Sequence, residues 1–87
     1  MEAAARFVHM PRFYFHLRGG DAEIPDLVGQ ECDDLTSART RALRSARDIL
    51  SHEVLSGRLP LNERIDVEDE EQRPVFMLPF REAVREV

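Results

Sequence analysis

The sequence predicts an α+β domain of two layers, a small antiparallel sheet of three to four strands packed by one central helix in the order β-(β)-α-β-β. Three observations carry that prediction. Phe13, Phe15 and Leu17 alternate with Tyr14, His16 and Arg18, the period of a strand with two different faces. Leu35, Ala38, Ala42, Ala46, Ile49 and Leu50 then recur at helical spacing, with Leu43 and Val54 at the edge of the stripe. Two further alternating runs follow, one around Ile65 and Val67 and one over residues 74–80. One amphipathic helix can cover one face of such a sheet, the two-layer solution open to a short chain.

Each element has its own local cause. Pro11 has no N–H to give and suits the threshold of the first strand. Gly19-Gly20-Asp21 is a turn, because glycine reaches positive φ without steric cost. Pro25 and Gly29 interrupt residues 22–33, where a short strand near Val28–Cys32 is the one candidate element. Asp34 is placed to cap the helix, its carboxylate accepting from free amides of the first turn. Gly57 stands at the position just past the helix end, and Pro60 prevents resumption. Glu70-Glu71-Gln72-Arg73 reads as a polar turn, and Pro79 puts the last strand at an edge or ends it there. Residues 81–87 add at most a helical turn.

Met10-Pro11 followed at once by the strand looks like the true opening of the domain. Residues 1–9 are therefore expected to be a disordered N-terminal extension, residues 10–84 a single α+β domain and residues 85–87 a tail. The sheet face toward the helix is expected to hold Phe13, Phe15, Leu17, Ile65, Val67, Phe76, Leu78 and Phe80. Tyr14, Val75 and Met77 then point the other way and are the candidate interface.

Composition narrows the functions. Eighty-seven residues make one domain with a modest core. A net charge of −5 is a poor basis for wrapping nucleic acid. All twelve basic residues are Arg, spread along the chain rather than gathered into a motif. The single cysteine, Cys32, excludes an internal disulfide and fits the cytoplasm. No run approaches the roughly 20 apolar residues of a membrane span, and the first residues are too short and polar for a signal peptide.

The chemical candidates are few. His16 could pair with Asp21, Glu23 or Glu31 as a metal site or an acid–base pair. No second His or Cys stands at ligand spacing, so it reads as an outward strand histidine. Cys32 could be a nucleophile if a histidine lowered its pKa, but Glu31, Asp33 and Asp34 beside it disfavour the thiolate, and it reads as a small buried hydrophobe. Six acids between Glu63 and Glu71 lack the glycine and spacing of a calcium loop and read as a solvated hairpin turn. Arg41, Arg44 and Arg47 form a candidate basic stripe that could touch phosphates, against Asp48 and an acidic remainder. No catalytic, metal or cofactor residues are assigned, and an enzyme is not expected.

Two resemblances follow from these residues. Met10-Pro-Arg-Phe-Tyr-Phe-His-Leu-Arg-Gly-Gly-Asp21, Asp26-Leu-Val-Gly-Gln-Glu31 and the start of the helix at Asp34-Leu35, with a closing Val75-Phe-Met-Leu-Pro-Phe80, resemble a family of short bacterial proteins of unknown function that open MPRYFF-like. The likeness spans about residues 10–84. This chain departs from the pattern in residues 1–9 and in lacking a glycine in the 70–73 turn. The resemblance implies no activity and no site residues. Pro25-Asp-Leu-Val-Gly29 with Asp34-Leu35 is also similar to the HicB-like antitoxin fold, which resembles a partial RNase H and neutralises an RNA-cleaving toxin.

The expectation is thus a non-enzymatic cytoplasmic protein–protein interaction module, acting as a homodimer without cofactor or membrane. A HicB-like antitoxin or nucleic-acid-associated regulator is the alternative.

Overall fold

In the computed structural model, which describes residues 10–85, five strands and one helix follow in the order β1 (Arg12–Gly19), β2 (Ala22–Ile24), β3 (Gln30–Glu31), α1 (Leu35–Leu55), β4 (Arg64–Glu68) and β5 (Pro74–Pro79), closed by a 3-10 turn (Phe80–Glu82). The expected α+β architecture stands. The expectations for residues 1–9 and for the last two residues of the tail lie outside the described residues.

The sheet runs β2-β1-β4-β5, with β3 also paired to β1, and every pairing is antiparallel. One short strand, β2, goes beyond the expected three to four. Ala22–Ile24 carries no strand signal of its own, yet the Gly19-Gly20 turn folds it back on β1 with Leu17 opposite Ile24. The candidate near residues 28–32 narrows to Gln30 and Glu31, opposite Phe13 and Arg12. Between these pairings β1 contributes three residues, 14–16, and the other chain five, 25–29. Residues 22–31 are in effect one edge strand with a five-residue loop thrown out of its middle.

The helix begins where the sequence placed it. Asp34 accepts the Ser37 N–H at 2.8 Å, and Gly57, at φ 82°, follows the C-cap Ser56. Ala38, Ala42, Ala46 and Leu50 are buried, because three small side chains let the helix backbone approach the sheet. Leu35 and Val54, the outer members of the expected stripe, lie near the two helix ends and are exposed.

The helix sits off-centre. Ile65 and Val67 on β4, Leu78 on β5, and Phe80 are almost completely buried beneath it, and Arg47 Nε ties it to the Ala83 carbonyl at 2.8 Å. On the helix-facing side of β1 only Phe13 is buried, while Phe15 and Leu17, which share its face, are half-covered. Arg39 lies 5.9 Å above the Phe76 ring and screens that side of the layer.

Candidate interaction surface

The sheet face away from α1 is built from β1, β4 and β5 in register. Tyr14 faces Glu68, His16 faces Asp66 and Arg18 faces Arg64 on β4, and Asp66 in turn faces Met77 on β5. The face is therefore not the apolar patch that Tyr14, Val75 and Met77 were expected to form. The acidic row of β4 runs between Tyr14 and Met77, which stand two strands or roughly 10 Å apart. Arg18 bridges Asp66 at 3.2 Å and approaches Glu68 at 3.9 Å, and Arg64 holds Asp66 at 2.9 Å.

Val75 lies in an irregular stretch of β5 and borders Arg18, Asp66, Glu68 and Met77. A bulge sets Val67 opposite Phe76 but Glu68 opposite Pro74, leaving Val75 as the extra residue. The bulge breaks the alternation, and Val75 is half-buried against the core. Met77 alone among the three is well exposed, at 52%. Pro74 and Pro79 bracket the free edge of β5 and remove backbone donors from it.

Tyr14 is half-buried because the 25–29 loop folds over it. Gly29 has φ 76°, and a Cβ there would stand 2.8 Å from Tyr14 Cε2 and 2.9 Å from Arg12 Cγ. The position needs glycine on both counts, for its backbone angle and for the closeness of the ring.

Asp26 fixes this loop. Its Oδ2 accepts the N–H of Phe15 at 3.0 Å, while its Oδ1 accepts the N–H groups of Val28 and Gly29, each at 3.0 Å. Its own N–H donates to His16 Nδ1 at 3.0 Å. Burial raises the carboxyl's pKa, but the donors at Gly29, Phe15 and Val28, together with the His16 ring, outweigh it and hold the group below its ordinary value.

These contacts correct the reading of His16 as a plain outward histidine. It leaves 8% of its surface exposed, with the loop on one side and Glu68 on the other. Nδ1 accepts from a backbone N–H, so the ring proton is on Nε2, which donates to Glu68 Oε1 at 3.1 Å. Its partners are Asp26 and Glu68, and none of Asp21, Glu23 and Glu31 is among them. The sequence named His16 but missed Asp26, whose Asp-x-x-Gly spacing to Gly29 was the available signal for a side-chain-capped turn.

The anchored loop holds its apolar side chains outward. Leu27 is 85% and Val28 74% exposed, and Ile24, at the end of β2, is also exposed. Arg12 Nη1 supports the tip by donating to the Val28 carbonyl at 2.9 Å. From residue 24 to residue 30 the one charged side chain is Asp26, and it is spent on backbone amides.

The remaining candidates serve the fold. Cys32 is buried, with Sγ 3.8 Å from the Gln30 carbonyl oxygen. The acidic hairpin is a capped turn, Asp69 accepting from the N–H groups of Glu71 and Arg73 and pairing with the Arg73 guanidinium at 3.1 Å. Of the candidate basic stripe, Arg41 and Arg44 border one shallow pocket with Glu31 and Asp33, while Arg47 is engaged with the Ala83 carbonyl. Among the described residues no three His, Cys, Asp or Glu side chains are grouped to hold a metal ion, and no helix is long and apolar enough to cross a membrane.

A family model described as a domain of unknown function, DUF6894, matches residues 12–81, which takes in all five strands and the helix. No curated protein and no solved structure matches the chain. The similarity to the HicB-like fold finds no support in these comparisons.

Proposed function

Starting from the fact that the chain belongs to the DUF6894 family, whose description assigns no activity, we propose that it is a non-enzymatic protein-interaction module that pairs with a second copy of itself through the 25–29 loop. The observation that carries this reading is the exposure of Leu27 and Val28 on a loop held by four hydrogen bonds at Asp26. A loop ordered before contact loses little entropy on binding, so its apolar side chains contribute more of their burial to affinity. Exposed apolar groups gathered in one place are the usual mark of an interface.

A second copy suits this loop for an electrostatic reason. Two chains of net charge −5 repel over most of their surface. Residues 24–30 present no outward charge, so they are where two copies approach at least cost, and an apolar patch is its own chemical complement in a two-fold pair. The non-enzymatic part of the reading rests on His16 and Cys32. Both His16 nitrogens are engaged and the Cys32 thiol is buried, which leaves neither free to meet a substrate. A buried free thiol also fits the reducing cytoplasm.

Light scattering after size exclusion tests the reading. The parent chain at tens of micromolar is expected to run at twice its 10.1 kDa mass, and the double variant Leu27→Ser, Val28→Ser as a folded monomer. A monomeric parent removes the homodimer, and a dimeric double variant moves the interface away from the loop.

A further inference from the structure

The off-centre helix leaves a groove of about 720 Å³ between the second half of α1 and the β1–β2 edge. Its floor is Phe15, Leu17, Ile24, Pro25, Ile49 and Ile65. Phe15 and Leu17 belong to the face that α1 covers elsewhere, so this is a stretch of core left uncapped. The groove runs beside α1 from Ser45 to Glu53, two turns of helix or about 12 Å.

The charges on the rim are of one sign. Asp48 and Glu53 line it, with His52 and the amide-bound Asp26, and among the described residues no Arg does. Arg58 neutralises Glu53 at 2.7 Å, but Asp48 makes no ion pair among the described residues. The same end of the molecule carries Asp21 and Glu63. The carboxyl of Glu63 is pushed up by burial and by the negative field of Glu53 and Asp21, against the opposing pull of Arg58.

We propose that this groove receives an amphipathic helical segment of another protein, its apolar row on Ile24, Ile49 and Leu17 and its flanking Lys or Arg residues against Asp48 and the acidic rim. An apolar trough beside an existing helix, two turns long, matches the row of side chains that such a segment offers at three- and four-residue spacing. The rim selects the sign of the flanking charge, because like charges across a rim are repulsive and opposite ones steer association. This groove adjoins the 25–29 loop at Pro25 and Asp26, leaves Leu27 and Val28 outside its lining, and does not depend on self-association.

The chain supplies its own reporter. It contains three isoleucines, Ile24, Ile49 and Ile65, and all three line the groove. Protein labelled at the isoleucine δ1 methyls therefore gives NMR signals from this groove. The probe is an amphipathic Leu/Lys peptide of about four turns, with a Leu/Glu peptide of identical spacing as control. The expected result is saturable movement of the Ile signals with the Lys peptide and none with the Glu peptide. Asp48→Lys, an exposed change, is expected to weaken binding about tenfold. Ile24→Arg, on an exposed edge residue, is expected to abolish movement of the Ile49 and Ile65 signals while native circular dichroism is kept. Isoleucine signals that stay still, respond equally to both peptides or ignore Asp48→Lys would each overturn the proposal, and so would Ile49 and Ile65 signals that move with protein concentration alone in the Leu27→Ser, Val28→Ser variant, which would make a second copy the occupant.

Discussion

The carboxylate of Asp26 stands where a strand partner of Phe15 would stand, its Oδ2 accepting the Phe15 N–H at 3.0 Å. A side chain here replaces a backbone carbonyl at the sheet edge, and the chain around it is free to loop outward. The same carboxylate then closes the loop by accepting from Val28 and Gly29. One residue satisfies the amide that the interruption would orphan and shapes the interruption itself.

Removing that carboxylate is expected to be costly. Asp26→Ala leaves the Phe15 N–H without its partner and frees the loop, a loss of roughly 1–3 kcal/mol. The check is the urea midpoint together with amide hydrogen exchange. Phe15 should exchange faster, while Ile65 and Val67 keep protection relative to the new global stability. An unchanged midpoint would show that water replaces the carboxylate without penalty.

Acid should act on the same group. The Asp26 carboxyl titrates below its ordinary range in the folded chain, since its accepted hydrogen bonds outweigh the effect of burial. A carboxyl with a depressed folded pKa contributes stability that is fully present above its unfolded value, about 3.9. That contribution is lost as pH falls through the folded value. The urea midpoint of the parent is therefore expected to fall on acidification below about pH 4, and that of Asp26→Asn to fall less over the same window. Asp69, also held low by the donors at Arg73 and Glu71, is common to both proteins and cancels in the comparison. Parallel acid profiles would remove Asp26 from the account.

Gly29 tests the covering of Tyr14. Gly29→Ala keeps a left-handed backbone angle that alanine disfavours by about 1–2 kcal/mol, and its Cβ would stand 2.8 Å from the Tyr14 ring. Destabilisation is expected together with a changed Tyr14 fluorescence, and Tyr14 is the sole tyrosine. A variant as stable as the parent would mean that the loop does not hold this conformation in solution.

Ala46 reports on the spacing of the two layers. It is fully buried where α1 passes over the sheet. Ala46→Leu is expected to overpack that contact at a cost of roughly 1–3 kcal/mol, measured by urea unfolding.

Met77 separates the two faces. Met77→Glu places a charge on a side chain that is half in water, beyond the acidic row of β4. We expect a stability change within about 0.5 kcal/mol and no change in mass by light scattering. A switch from dimer to monomer would return the interface to the sheet face and remove it from the loop.

The helix from its Asp34 cap to Gly57, the alternation of β1 and β4, and the inward set from Phe13 to Phe80 follow from spacing along the chain alone. Those features are legible because periodicity and capping act through neighbours along the chain. What the tertiary structure decided was everything that depends on register. The two-residue slip between β2 and β3 made residues 25–29 a loop, and only that slip brought Asp26 to Phe15 and His16. The bulge at Val67/Glu68 left Val75 half-buried, and β4 set its acids between Tyr14 and Met77. The lateral position of α1 opened the groove over Phe15 and Leu17. Local spacing along the chain does not distinguish these arrangements from their alternatives, and contacts between residues far apart in the chain select them.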